Sequence, residues 1–130
     1  MIVVDASALL DVLLRSPAAV PIEKRLFDPE ETLHAPHLID VEVTQVLRRY
    51  ALSGEAVPER CHSALADLVD FPLTRYPHDF LLPRVWELRS NLTAYDAVYV
   101  ALAEALDAPL LTRDQRLANA PGNHARIELV

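Results

Sequence analysis

The chain is poor in the residues from which several kinds of site are built. Cys61 is its single cysteine, which excludes an internal disulfide and any cysteine-based zinc cage and fits a reducing compartment. Structure must come from packing alone. Gly54 and Gly122 are the only glycines, so neither a Walker phosphate loop nor a dinucleotide-binding glycine loop can be built. The ATP- and NAD-dependent chemistries that use those loops are thereby excluded. No apolar run approaches the ~18 residues of a membrane span, and the start MIVVDASALL lacks the basic region of a signal peptide. A soluble, cytoplasmic protein is the expectation. Lysine is scarce as well: of the 12 basic residues all but Lys24 are arginine. With a formal net charge of −7, the overall field repels nucleic acid and counts against a simple DNA-binding module.

What is present is a chain of 130 residues, 52% hydrophobic, long enough to bury roughly two-thirds of its unfolded surface as one domain spanning residues 1–130. MIVV is a β-branched run ending at Asp5, and ASALLDVLLR continues it with helical spacing at Leu9, Leu10, Leu13 and Leu14. PIEKRLF reads as a short helix, TLHAP as a strand ending at Pro36, and a long helix follows from Leu38 to Leu52, closed by Ser53-Gly54. Pro58 opens the helix PERCHSALADLVDF, LTRY is a third strand, and another helix is expected from His78 to Arg89. The segment LTAYDAVYVALAEAL is a further helix, LLT a strand, RDQRLANA a turn or two of helix, and RIELV a last strand. This alternation predicts an α/β domain with a mostly parallel sheet.

Sites in such sheets form at the carboxyl ends of the strands. Asp5 ends the first strand, Asp114 follows LLT, Asp96 lies in the first turn of its helix, and Glu42 lies near the start of the helix after the second strand. Each also has a local role open to it. Asp5 and Asp114 suit helix N-caps, as does Thr112, and Thr93 with Asp96 fits a capping box. Helical phase says more about two of them. At ~100° per residue Asp96 shares a face with Tyr99, Val100 and Ala103, so it projects inward at one end of a buried helix. Glu42 borders the apolar stripe of Ile39, Val43, Val46, Leu47 and Tyr50, whereas Asp40 and Arg48 point away.

Clustered carboxylates repel: two unit charges ~4 Å apart do so by roughly 4 kcal/mol at an effective dielectric near 20. A divalent cation removes that penalty, and an all-oxygen donor set at a wet rim suits magnesium or manganese. The histidines, at positions 34, 37, 62, 78 and 124, lack the spacing of a zinc site. A carboxylate-held magnesium is equipped for metal-activated hydrolysis of a phosphodiester. No serine has a glycine-flanked nucleophile elbow, and Cys61 beside His62 on one helix makes no facing pair.

Four blocks, VVDASALLDVLL, HAPHLIDVEVTQVLRR, LTAYDAVYVALAEAL and LLTRDQRL, together resemble a PIN-domain protein of the VapC type, the ribonuclease toxin of a toxin–antitoxin pair. The resemblance spans nearly the whole chain, residues 55–90 adding little. It implies a three-layer α/β/α sandwich around a short parallel sheet, and a magnesium-dependent endoribonuclease site at Asp5, Glu42, Asp96 and Asp114. By it Asp5 and Asp96 are metal ligands, Glu42 binds directly or through water, and Asp114 completes a second site or orients water. Thr112 and Ser7 match supporting polar positions. The resemblance further implies a structured RNA substrate of the transfer or ribosomal class, a cognate VapB-type antitoxin that plugs the acidic site with a basic residue, and a homodimer. Phosphate contacts would fall to local arginines such as Arg15, Arg48, Arg49, Arg113 and Arg116, each of which also reads as part of a solvated helix face.

Two other readings have less support. A phosphoacceptor receiver domain needs paired acids after the first strand and a lysine near its end, but only Asp5 stands there and the sole lysine is Lys24. A haloacid-dehalogenase-like phosphatase needs Asp-x-Asp where this chain has Asp5-Ala6-Ser7. The rival within the family is a catalytically silent PIN domain that acts only as a binding partner in a regulatory complex.

Overall fold

A computed structural model describes all 130 residues. β1 (Ile2–Val4) is completely buried and lies between β2 (Leu33–Pro36) and β4 (Leu110–Thr112), so its unbroken β-branched run is what a strand covered on both faces requires. β3 (Leu73–Tyr76) and β5 (Ile127–Leu129) form the edges, giving the order β3-β2-β1-β4-β5. Every pairing is parallel. The edge strands are only partly buried, as expected where one side meets solvent.

Strand order dictates where the helices go. β1 to β2 to β3 steps one way across the sheet, and right-handed crossovers place the intervening α1 (Ala6–Leu13), α2 (Ala19–Leu26), α3 (Leu38–Ser53) and α4 (Pro58–Asp70) on one face. The path from β3 to β4 and on to β5 steps the other way, which puts α5 (Leu82–Glu87), α6 (Ala94–Leu106) and α7 (Gln115–Asn119) on the opposite face. Packing agrees: α1 rests on α2, α3 and α4, while α6 rests on α5, β1, β2 and β4. The result is a three-layer α/β/α sandwich. Residues 97–103 of α6 are all buried, so this helix is apolar on every side because it is covered on every side.

The direction of crossing reverses between β1 and β4, and a crevice opens there at the carboxyl ends of the strands. Asp5 and Thr112 are the residues that β1 and β4 deliver to it.

Three boundaries differ from the sequence reading. The first helix stops at Leu13 rather than Arg15, because Arg15 adopts a left-handed φ of 52°. The second begins at Ala19, with Pro21 inside its first turn where no helical N–H is needed. The single helix expected from His78 to Arg89 is a 3₁₀ turn at Asp79–Leu81 followed by α5, with Pro83 near the start of α5. Elsewhere helix ends follow local chemistry: Gly54 closes α3 at φ 83°, and Pro58 starts α4.

Two arginine clusters hold the terminal segments in place. Arg25 of α2 pairs with Glu31 and, through two nitrogens at 2.9 and 3.0 Å, with Glu128 of β5, while the Met1 ammonium reaches Glu31 at 2.9 Å. Arg84 of α5 grips Glu104 of α6 at 2.8 and 3.1 Å, and Glu104 also accepts the His124 amide at 2.7 Å. Both clusters lie away from the crevice.

Candidate active site

Asp5 is 6% exposed and is the N-cap of α1, accepting the Ala8 amide at 3.1 Å. The capping role therefore coexists with a place at the floor of the crevice. Ser7 donates to one carboxylate oxygen at 2.6 Å and Thr112, fully buried, donates to the other. Ser7 accepts the Arg113 amide at 3.0 Å and Thr112 accepts the Asp114 amide at 3.0 Å, so two hydroxyls tie the end of β4 to the start of α1 through Asp5. Burial pushes the Asp5 carboxyl above its usual range, against the pull of these hydrogen bonds, and the nearby charge of Asp96 adds to the upward push.

Asp96 lies half-buried in the first turn of α6, where Thr93 caps the helix by accepting the Asp96 amide at 3.2 Å. The Asp96 carboxylate is left to face the crevice. Burial and then the charge of Asp114 raise its pKa, with Thr93 and Arg116 acting the other way. Glu42 projects from the second turn of α3, and its Oε1 accepts the Tyr99 hydroxyl at 2.9 Å. Its pKa is raised by burial, which the Tyr99 hydrogen bond opposes, and by Asp96 and Asp5. The neighbouring Asp40 is instead bound to Arg75 at 2.8 and 3.0 Å, as its outward phase implied.

Tyr99 was visible in the sequence only as an apolar-face neighbour of Asp96. It is 1% exposed, and burial together with Glu42 pushes its phenol far above the range in which it ionises. A phenol that stays protonated is a permanent donor to a carboxylate. No sequence signal announces it; the i, i+3 spacing from Asp96 to Tyr99 on the inward face was the available hint.

Asp114 caps α7 by accepting the Arg116 amide at 2.9 Å and keeps a looser contact, 3.8 Å, with the Arg116 guanidinium. A small cavity of about 190 Å³ is lined by Thr93, Asp96, Asp114 and Arg116, and so joins the two acids on this side of the crevice. The crevice thus contains all four acids read from the sequence, in two coupled groups that share Asp96. In this conformation, though, no three acidic or histidine side chains converge on one ion-sized position. The donors are all oxygen, and no cationic side chain is bonded to Asp5, Glu42 or Asp96. Buried and half-buried carboxylates, raised chiefly by burial and further by one another's charge, form a donor set that a divalent cation would stabilise.

On the other side of Glu42 and Ser7 a cleft of about 640 Å³ runs outward between α1, α3 and α4. Arg49 and Arg60 line it, whereas Arg48 does not; Arg113 is engaged by Asp11 at 3.3 Å, and Arg15 lines a different cavity of about 450 Å³. Arg49 is among the arginines that the sequence offers for phosphate contacts, whereas no local pattern singles out Arg60.

Comparison with known proteins accords with this architecture. The PIN domain family matches residues 2–123. Ribonuclease VapC1 of Mycobacterium tuberculosis is 48% identical over 129 residues, covering 98% of this chain and 96% of that protein. Among solved structures, PAE2754 from Pyrobaculum aerophilum superposes with a TM-score of 0.70 at 26% identity, covering 97% of this chain and 81% of that one. A toxin–antitoxin complex from Klebsiella pneumoniae superposes with a TM-score of 0.66 at 20% identity over 98% and 96% of the two chains, which is a likeness of fold. The chain belongs to the PIN-domain family.

Proposed function

We propose that this PIN-domain chain is an endoribonuclease toxin that hydrolyses phosphodiester bonds of structured RNA, of the transfer or ribosomal class, using magnesium or manganese held by the crevice acids. The observation that carries the reading is the set of neighbouring carboxylates at the β1/β4 switch point, each pushed above its usual range chiefly by burial and further by a neighbouring acid, on a chain 48% identical to a ribonuclease over nearly its full length. Asp5, Glu42 and Asp96 would hold the ion, and Asp114 would bind a second one or orient water. A bound divalent ion supplies Lewis acidity toward the phosphate and acidifies a water.

The chain's own residues do the rest. Asp5 is held rigid by Ser7, Thr112 and the Ala8 amide, so its oxygens are fixed before any ion arrives. Tyr99 orients Glu42, and the packed body of α6 fixes Asp96. Ser7 is committed to Asp5 and is not free to act as a nucleophile. A cognate antitoxin of the VapB type would silence the site by placing a basic side chain among these acids, and homodimerisation in the cytoplasm completes the reading.

Magnesium titration of RNA cleavage tests it. Asp5→Ala and Asp96→Ala, checked for folding by circular dichroism, should lose metal-dependent cleavage by two orders of magnitude or more. Parental rates in both would mean that the crevice is not the site.

A further inference from the structure

We infer that the cleft between α1, α3 and α4 is the binding site for a single-stranded nucleotide next to the scissile phosphate, with Arg49 and Arg60 taking its phosphate and Tyr50 its base. The inference rests on the ribonuclease reading and assigns a substrate position to residues outside the acidic crevice.

Its first support is continuity. Ser7 and Glu42 form the inner end of the cleft, so a chain lying in it enters the acids without a barrier. On the far side the small cavity at Asp96 and Asp114 continues the path past Arg116, which is 93% exposed on its side chain. The acids stand between two concavities, as a strand crossing them would require.

The second support is charge. Arg49 and Arg60 have no carboxylate partner, in contrast to Arg25, Arg75 and Arg84, which are each paired. One Arg60 nitrogen donates to the Leu13 carbonyl at 3.2 Å, which aims the guanidinium and leaves its other N–H groups available. Three acids also line the cleft, of which Glu42 belongs to the acidic crevice at its inner end. Asp11 is already engaged by Arg113 and by Ser16, at 3.3 and 2.6 Å, whereas Glu55 makes no ion pair.

The third support is shape and polarity. Leu10, Leu14 and Val46 give the cleft an apolar floor beside Tyr50, whose ring already carries the Arg49 guanidinium at 5.9 Å from its centroid. An aromatic ring beside an arginine is the arrangement that holds unpaired bases, which stack on either surface. Arg49 and Arg60 are the cleft's cationic side chains without a carboxylate partner, in a chain whose net charge is −7.

The test uses the full chain carrying Asp96→Asn, so that RNA is bound without being cut. With a short fluorescein-labelled single-stranded RNA of mixed sequence, fluorescence anisotropy should show Arg49→Ala/Arg60→Ala binding about tenfold or more weakly, with a salt slope smaller by about 0.7 for the one phosphate they hold. Tyr50→Leu should weaken binding about fivefold or more and leave the salt slope alone. Arg48→Ala, on the exposed face of α3, should change neither. Unchanged affinity and slope in the double arginine variant would give the cleft to another occupant, a protein segment included, and would overturn the assignment. In otherwise native protein, parental kcat/KM in the double variant would reject the cleft and keep the ribonuclease reading. RNA binding that depends on the cleft, in a parent that cleaves nothing, would do the reverse.

Discussion

Tyr99 donates its hydroxyl to Glu42 across 2.9 Å, so α6 supplies Asp96 to the crevice and, one turn later, the group that aims a carboxylate arriving from α3. Glu42 has a long side chain and no other polar anchor. Tyr99→Phe keeps the ring and removes only the hydroxyl. A hydrogen bond to a charged group contributes about 1.5–3 kcal/mol. If part of that is lost from ion binding, manganese affinity should fall about three- to thirtyfold. Calorimetric titration of manganese into both proteins measures it, and Glu42→Ala should abolish the difference between Tyr and Phe at position 99. Equal manganese affinity in the parent and Tyr99→Phe would remove Tyr99 from the site.

Asp96 is expected to weaken the ion-free fold that it serves. Burial, and then the charge of Asp114, disfavour its ionised form. Asp96→Asn should relieve on the order of 1 kcal/mol, a figure kept low because the side chain is half-exposed. For a chain of this size that corresponds to a rise in Tm of about 3–5 °C without divalent ions. Magnesium should raise the parental Tm and move the variant less, since a ligand stabilises only the state that binds it. A scanning thermal melt with and without magnesium suffices; a lower ion-free Tm in Asp96→Asn would show that the carboxylate is already compensated.

Much of this was legible in residue order because it depends on local rules. β-branched runs marked the central strands, and Gly54 and Pro58 marked the turn between α3 and α4. Helical phase correctly separated Glu42, which enters the crevice, from Asp40, which pairs with Arg75. What stayed hidden depends on contacts far apart in sequence. The Tyr99 to Glu42 bond spans 57 positions and the Thr112 to Asp5 bond 107, so no local pattern encodes either. Arg60 was missed because its role depends on the packing of α4 against α1, which brings it to the Leu13 carbonyl. The break before α5 followed from Pro83, whose place near a helix start the apolar pattern overrode.

Thr112 is a buried junction between Asp5 and the Asp114 amide. Thr112→Val preserves shape and deprives one Asp5 oxygen and the Asp114 amide of their partner, which costs about 1–3 kcal/mol. The chemical midpoint of unfolding should fall accordingly, and Thr112→Ser should restore most of it by returning the hydroxyl. Ser7→Ala should cost less, because Ser7 is only partly buried and water can take its place. A Val variant as stable as the parent would mean that Asp5 does not depend on that hydroxyl.

Acid stability should be set by the two arginine clusters and not by the crevice. Arg84 lowers the Glu104 carboxyl, and Arg25 lowers Glu31 and Glu128. For a group with a depressed folded pKa the stabilisation is present above the unfolded value, here 4.5, and is lost as pH falls through the folded one. Asp5, Glu42 and Asp96 have the opposite sign: raised folded values mean that stability is gained as pH drops through them toward the ordinary carboxylate range. Tm without divalent ions should therefore climb as the protein is taken from neutral into mild acid, pass a maximum, and fall steeply below about pH 4.5. Arg84→Met keeps the apolar stem, lowers the neutral Tm and flattens the acid limb, because Glu104 then titrates closer to its unfolded value. Melting curves across this range in parent and variant check both limbs. An acid limb as steep in Arg84→Met as in the parent would show that Arg84 and Glu104 are not coupled to folding.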